Sequence, residues 1–146
     1  MADACEIPLY RSTDKEIEQI LSESKTIAVV GLSPKPERDS NQVAKYMIEA
    51  GYTIIPVNPM AQEILGLKSY PTLSDVPQKV DIVDIFRKLD AVPGIVDEAI
   101  EMGAKTVWMQ ENIIHNGAAK AAKDAGLKVV MNKCIMVEHK IIDKDQ

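Results

Sequence analysis

The sequence predicts an α/β fold, a doubly wound, mainly parallel sheet of five strands with helices on both faces. Three observations predict it. Short apolar runs alternate with amphipathic helical stretches along the chain, turn residues punctuate that alternation, and no internal repeat, low-complexity tract or Gly/Ser linker interrupts it. The 146 residues suit a single domain, 1–146, long enough to bury about two-thirds of the surface an unfolded chain exposes.

The elements follow in order. Thr13-Asp14-Lys15-Glu16 has the spacing of a capping box, and Ile17, Ile20 and Leu21 come after it at helical spacing, so a helix is expected over about 13–23. The continuous apolar run from Thr26 to Val30 suits a central parallel strand buried on both faces, and it ends at Gly31. Val43, Met47 and Ala50 mark a helix from about Asn41 to Ala50, stopped by Gly51. A second strand runs from Tyr52 to Val57. Leu67 to Tyr70 is a short edge strand among turn residues, and Val80 to Phe86 resumes strand character, with Asp81 and Asp84 indicating partial exposure or paired acids. Val92, Ile95, Val96, Ala99 and Ile100 line one helix face, with Pro93 in the first turn and Gly103 closing it. A strand at Thr106–Met109, an alanine-rich helix from Asn116 to Ala125 with Asn116 as its N-cap and Gly126 after it, and a strand at Leu127–Met131 complete the alternation. Residues from about 140 to 146 read as a short polar tail, and Glu138-His139 as solvated.

Composition bounds the function. Hydrophobic residues at 46% and charged residues at 27% match a globular protein, and no run approaches the roughly 18 apolar residues of a membrane span. The first six residues carry two acids and no basic, apolar leader pattern, so a cytoplasmic protein is expected. A net charge of −5 argues against nonspecific nucleic-acid or acidic-membrane binding. Cys5 and Cys134 stand at opposite ends of the chain and read as free thiols rather than a disulfide.

In a doubly wound sheet, ligands bind beyond the carboxyl ends of the strands, so the strand-end residues carry the functional reading. The loop Gly31 to Asn41 joins the first strand to a helix, where backbone N–H groups and the helix dipole hold phosphate. It lacks both the dinucleotide glycine fingerprint and the Walker loop. Gly31, Leu32, Ser33, Lys35 and Arg38 are its candidate contacts, the two cations standing beside the expected phosphate; a solvated proline-rich turn is the other reading. After the second strand, Val57, Asn58 and Pro59 replace the acid that NAD-binding units present to ribose, which counts against NAD. They fit an adenine wall with an amide, or equally a plain rigid turn. Phe86, Arg87 and Lys88 bring an aromatic face and two cations to the same edge, suited to packing a pantetheine arm or to a further phosphate, or to exposed strand-end charge. Gln110 is a polar candidate at the next strand end, and Cys134 lies just past the last strand beside Lys133. His115 and His139 have no neighbours at metal spacing, and no acid, base and nucleophile constellation can be assembled.

Taken in order, Val29 to Arg38, Gly51-Tyr52 to Pro59, Val83 to Arg87, Gly103 to Gln110 and Ala125 to Cys134 make the chain resemble the small CoA-binding proteins related to the N-terminal CoA-binding domain of the succinyl-CoA synthetase α subunit. The resemblance runs from about Ile27 to His139. It implies a Rossmann-like sheet with coenzyme A across the carboxyl edge, phosphates near Gly31, Ser33 and Arg38, adenosine near Val57, Asn58 and Pro59, and Phe86 and Arg87 along the ligand. Family members often read Asp-Arg-Cys where this chain has Asn132-Lys133-Cys134. The synthetase's phosphohistidine lies in a separate domain that this chain is not expected to contain. The expected role is therefore a non-catalytic carrier, sensor or regulator that binds CoA or acyl-CoA, with a mixed disulfide between CoA and a redox-sensitive Cys134. The alternatives are an NAD(P)-dependent oxidoreductase or subunit of a larger enzyme, and an interaction protein with a vestigial nucleotide site. Neither the acyl group nor a protein partner or homo-oligomer is specified by the sequence.

Overall fold

A computed structural model describes residues 7–144. Cys5 lies outside the described residues. Five strands, β1 (Thr26–Val30), β2 (Thr53–Val57), β5 (Ile82–Ile85), β6 (Thr106–Met109) and β7 (Lys128–Val130), form one sheet in the order β2-β1-β5-β6-β7. Every neighbouring pair is parallel. This is the expected doubly wound, Rossmann-like sheet.

Strand alternation divides the core into two layers. Ile27, Val29, Ile82, Trp108 and Val130 point to one face, where they meet α1 (Asp14–Glu23), α2 (Asp39–Glu49) and Ile135 of α5 (Ile135–Lys144). Ala28, Val30, Val83, Ile85, Val107 and Met109 point to the other, under α3 (Val92–Met102) and α4 (Asn116–Asp124). Each fully buried aliphatic side chain contributes about 1.5–3 kcal/mol over leaving it in water. Trp108 is wholly buried, and its indole N–H donates to the Lys133 carbonyl at 2.8 Å, which ties the segment before α5 to the sheet.

The terminal signals act as the sequence predicts. Thr13 caps α1 in a complete capping box with Glu16, and Gly103 ends α3 in a left-handed conformation. The short strand expected at Leu67–Tyr70 is split. Leu67–Lys68 (β4) pairs with Glu63–Ile64 (β3) in a hairpin turned by Leu65 and Gly66 at positive φ, while Tyr70 bridges to Val57 at the edge of the main sheet.

Three local expectations are corrected. Asp84 is neither exposed nor paired: it is 1% exposed, with no hydrogen-bond partner among the described residues. Its strand is central and covered on both faces, so its neighbours in register are Val29 and Trp108, not water. The other acid, Asp81, precedes the strand and does find partners, accepting from the Lys25 and Thr26 N–H groups at 2.8 and 3.0 Å with Lys105 at 3.7 Å. Second, the polar tail is helix α5 as far as Lys144. Ile135, Met136 and Ile142 pack on the α1/α2 layer, and His139 is half-buried, its Nδ1 hydrogen-bonded to the Tyr46 hydroxyl at 2.8 Å and its ring set edgewise against Tyr46 and Tyr52. Third, His115, not Asn116, is the N-cap of α4. Its extended backbone lets Nδ1 accept from the Ala118 N–H, whereas Asn116 binds the Leu9 N–H and the Ile7 carbonyl, holding the N-terminal segment against the domain.

Burial pushes the Asp84 carboxyl well above its ordinary value of 3.8. A raised folded-state value means that its contribution is fully favourable below the unfolded value and is lost as pH rises through the folded one. Asp84→Asn should therefore gain urea stability relative to the parent chain as pH is raised above about 4. Denaturation curves whose difference does not change with pH would contradict this.

Candidate functional site

The winding direction reverses between β1 and β5, because β2 lies on one side of β1 and β5, β6 and β7 on the other. Right-handed crossovers then send α2 to one face and α3 and α4 to the opposite one, leaving a gap beyond the carboxyl ends of the two central strands. A cleft of about 890 Å³ occupies that gap, and a second of about 340 Å³ adjoins it across Gly31, Ser33, Asp39 and Phe86.

Gly31 forms the join between the two. Its φ of 91° is left-handed, and a Cβ there would overlap the Phe86 carbonyl oxygen and approach the Arg87 side chain at 2.9 Å. The chain beyond it is braced by residues that sequence reasoning missed. The Ser33 N–H donates to the buried Ser40 hydroxyl at 2.9 Å, and Asn41 donates from Nδ2 to the Ser33 carbonyl at 2.9 Å. Asn58 clasps the neighbouring loop by donating to the Leu32 carbonyl and accepting from the Met60 N–H.

Of the candidate residues, Gly31, Ser33, Asn58, Phe86, Arg87, Gln110 and Cys134 line the larger cleft. Arg38 lines the smaller one as the N-cap of α2. Leu32 and Val57 turn into the core, and Lys35 and Pro59 are exposed and line neither cleft. Leu32 thus takes part through its backbone, and the Asn58 amide is largely engaged by the protein itself.

The cleft also takes in Val43 from α2, Met60, the Glu111–Ile113 loop, and Met136 and Val137 from α5. Two signals near that loop are conformational. Asn112 and Asn132 both have positive φ, and the Asn112 N–H donates to Asn132 Oδ1 at 2.7 Å, so the turns after β6 and β7 lock together. Asn tolerates this conformation, but nothing in a single sequence marks which Asn uses it.

Side-chain charge around the larger cleft is mixed, Arg87 and Lys88 standing with Asp39 and Glu111. Backbone dipoles tip the balance toward an anion. The first turn of α2 receives no side-chain cap, and α5 also begins at the cleft wall. Phe86 lines the same cleft as an apolar surface. Among the described residues no three His, Cys, Asp or Glu side chains group to hold a metal, and no helix is long and apolar enough to cross a membrane.

These features define a Rossmann-like α/β domain whose crossover cleft suits an elongated, partly anionic ligand. The chain belongs to the CoA-binding domain family, whose model matches residues 25–140. It is 43% identical over 126 residues to the uncharacterized protein YneT of Bacillus subtilis, covering 86% of this chain and 93% of that one. A hypothetical protein from Pyrococcus horikoshii has the same fold with a TM-score of 0.88 and 47% identity, over 93% of this chain and 96% of that chain. The ADP-forming acetate–CoA ligase I of Archaeoglobus fulgidus is 28% identical over 121 residues, which are 76% of this chain but only 18% of the ligase. The chain thus matches about a fifth of that ligase's length.

Gly31→Ala should destabilise the chain by about 1–3 kcal/mol, since both the positive φ and the contact with Phe86 oppose a side chain. Urea denaturation measures this; an unchanged midpoint would mean that the β1–β5 junction tolerates a side chain.

Proposed function

We propose that the chain binds coenzyme A, or an acyl-CoA, in the crossover cleft and serves as a carrier, sensor or regulatory module rather than as a self-sufficient enzyme. The observation that carries this reading is the placing, along one cleft, of the α2 start, the Phe86 face and the Cys134 thiol. The phosphates of the ligand lie toward Gly31, Ser33 and Arg38, where the Arg38 guanidinium and the Asp39 and Ser40 N–H groups of the α2 start, which have no hydrogen-bond partner among the described residues, supply charge-assisted hydrogen bonds. The pantetheine arm runs past Phe86 and Arg87, and the thiol end reaches Gln110 and Cys134. Membership of the CoA-binding domain family supports the choice of ligand. The missing glycine fingerprint and the missing acid after β2 weigh against NAD.

With the thiol end there, Cys134 can exchange with CoA disulfide. The Cys134 thiolate attacks one sulfur, a Cys134–CoA disulfide forms, and one CoA thiolate leaves.

Calorimetric titration of the reduced chain with CoA, and in parallel with NAD, NADPH and ATP, tests the reading. CoA should bind in preference to the others, and Arg38→Ala should weaken it by about 1.5–3 kcal/mol. NADPH binding without a response to CoA would favour an oxidoreductase instead, and no binding at all a protein-interaction role. After incubation with CoA disulfide, intact mass should rise by one CoA moiety in the parent chain and not in Cys134→Ser; an unchanged parent mass would remove the disulfide from the account.

A further inference from the structure

Cys134 occupies the N-cap position of α5, because its carbonyl accepts the helix's first backbone hydrogen bond, from Glu138 N–H at 3.0 Å. Three N–H groups then begin the ten-residue helix without intrahelical acceptors, those of Ile135, Met136 and Val137. Gln110 takes the first: its Oε1 accepts from the Ile135 N–H at 3.2 Å. That bond fixes which end of the amide is which, so Nε2 is the free end. Gln110 is only 4% exposed and lines the cleft, yet its Nε2 has no hydrogen-bond partner among the described residues. Among the described residues the fully buried side-chain atoms without a partner are those of Asp84, so Nε2 opens into the cleft, where a ligand acceptor can take the place of water. The N–H groups of Met136 and Val137 are likewise without partners among the described residues, and both residues line the same cleft.

The cleft wall thus carries a thiol, an unpartnered side-chain donor and unpartnered helix-terminal donors, with Glu111 lining the same cleft. A carbonyl oxygen that gains negative charge when a sulfur attacks its carbon is the acceptor such a set suits. We infer that Cys134 accepts acyl groups from acyl-CoA thioesters, with Gln110 Nε2 and the first-turn N–H groups of α5 receiving the carbonyl oxygen. The inference rests on the reading that the CoA thiol end lies at Cys134. A sulfur placed there for disulfide exchange is the same atom that carries an acyl group.

The step is a thioester exchange and needs no oxidant. The Cys134 sulfur bonds to the acyl carbon, the bond from that carbon to the CoA sulfur breaks, and the thiol proton of Cys134 ends on the released CoA thiol. One thioester is lost and one is formed, so the reaction is reversible and the protein holds the acyl group as a carrier. Short, uncharged acyl groups suit the apolar walls that Ile113, Met136 and Val137 provide beside the donors.

The test incubates the reduced full-length chain with acetyl-CoA and follows intact mass. The expected result is a gain of one acetyl group, removed by neutral hydroxylamine and mapped to Cys134, formed faster than in the same chain unfolded in urea. Cys134→Ser should lose it. Gln110→Glu at pH 8 keeps an oxygen for the Ile135 N–H and replaces the donor by an acceptor; its acylation rate at saturating acetyl-CoA should fall on the order of 10²-fold. Far-ultraviolet circular dichroism confirms that each variant is folded. Acylation no faster than in the unfolded chain, an adduct that persists in Cys134→Ser, or an unaffected rate in folded Gln110→Glu would overturn the inference. Calorimetric CoA binding by the same preparation separates the two claims. Binding without acylation defeats acyl acceptance alone, whereas absence of binding defeats the CoA reading on which it rests.

Discussion

The contact between Gly31 and the Phe86 backbone is the constraint on which the rest of the site depends. It holds the carboxyl ends of the two central strands together at the point where the sheet reverses its winding. No side chain fits between them, so the loop after β1 must leave the sheet at a left-handed glycine. That exit angle carries the chain to Ser33, whose bonds with Ser40 and Asn41 set the start of α2 over the cleft. On the other side of the same contact, Phe86 and Arg87 are turned into the cleft instead of continuing the strand. One steric requirement therefore places both the helix start and the aromatic surface.

A second junction sets the far wall. The turns after β6 and β7 are joined by Asn112 and Asn132, the Trp108 indole holds the Lys133 carbonyl, and Gln110 holds the first N–H of α5. Cys134 sits inside this triangle of bonds, at the head of a helix that His139 fastens to α2 through Tyr46. The helices whose first turns reach the cleft are thus bonded to each other as well as to the sheet. Function and stability meet here, because loosening α5 moves the thiol and the free donors together.

Much of the fold was legible because its signals are local. The capping box at Thr13, the continuous run Thr26–Val30 and the proline and glycine that bracket α3 need no tertiary partner to be understood. The errors share the opposite property. Asp84 reads as a sign of exposure until β5 is known to be the central strand, and Glu138-His139 reads as solvated until Tyr46 and Tyr52 are found packed on the ring. The candidate site divides the same way. Gly31, Phe86, Arg87 and Cys134 stand at strand ends and can be picked from their position, whereas Leu32 and Val57 stand at the same ends but turn into the core. The bracing by Ser40, the clasp by Asn58 and the contribution of α5 depend on loops meeting in space.

The chain is a member of the CoA-binding domain family, and the central claim is that its crossover cleft is where CoA sits. Backbone amide chemical-shift mapping of the isotopically labelled chain, with and without CoA, tests that claim most directly. The account predicts that the shifted amides cluster at Gly31, Ser33, Phe86, Arg87, Gln110 and Met136, on both walls of the cleft. Shifts gathered instead around a separate cavity of about 230 Å³ beside Arg11, Lys123 and Lys128, near the amino end of β7, would contradict it.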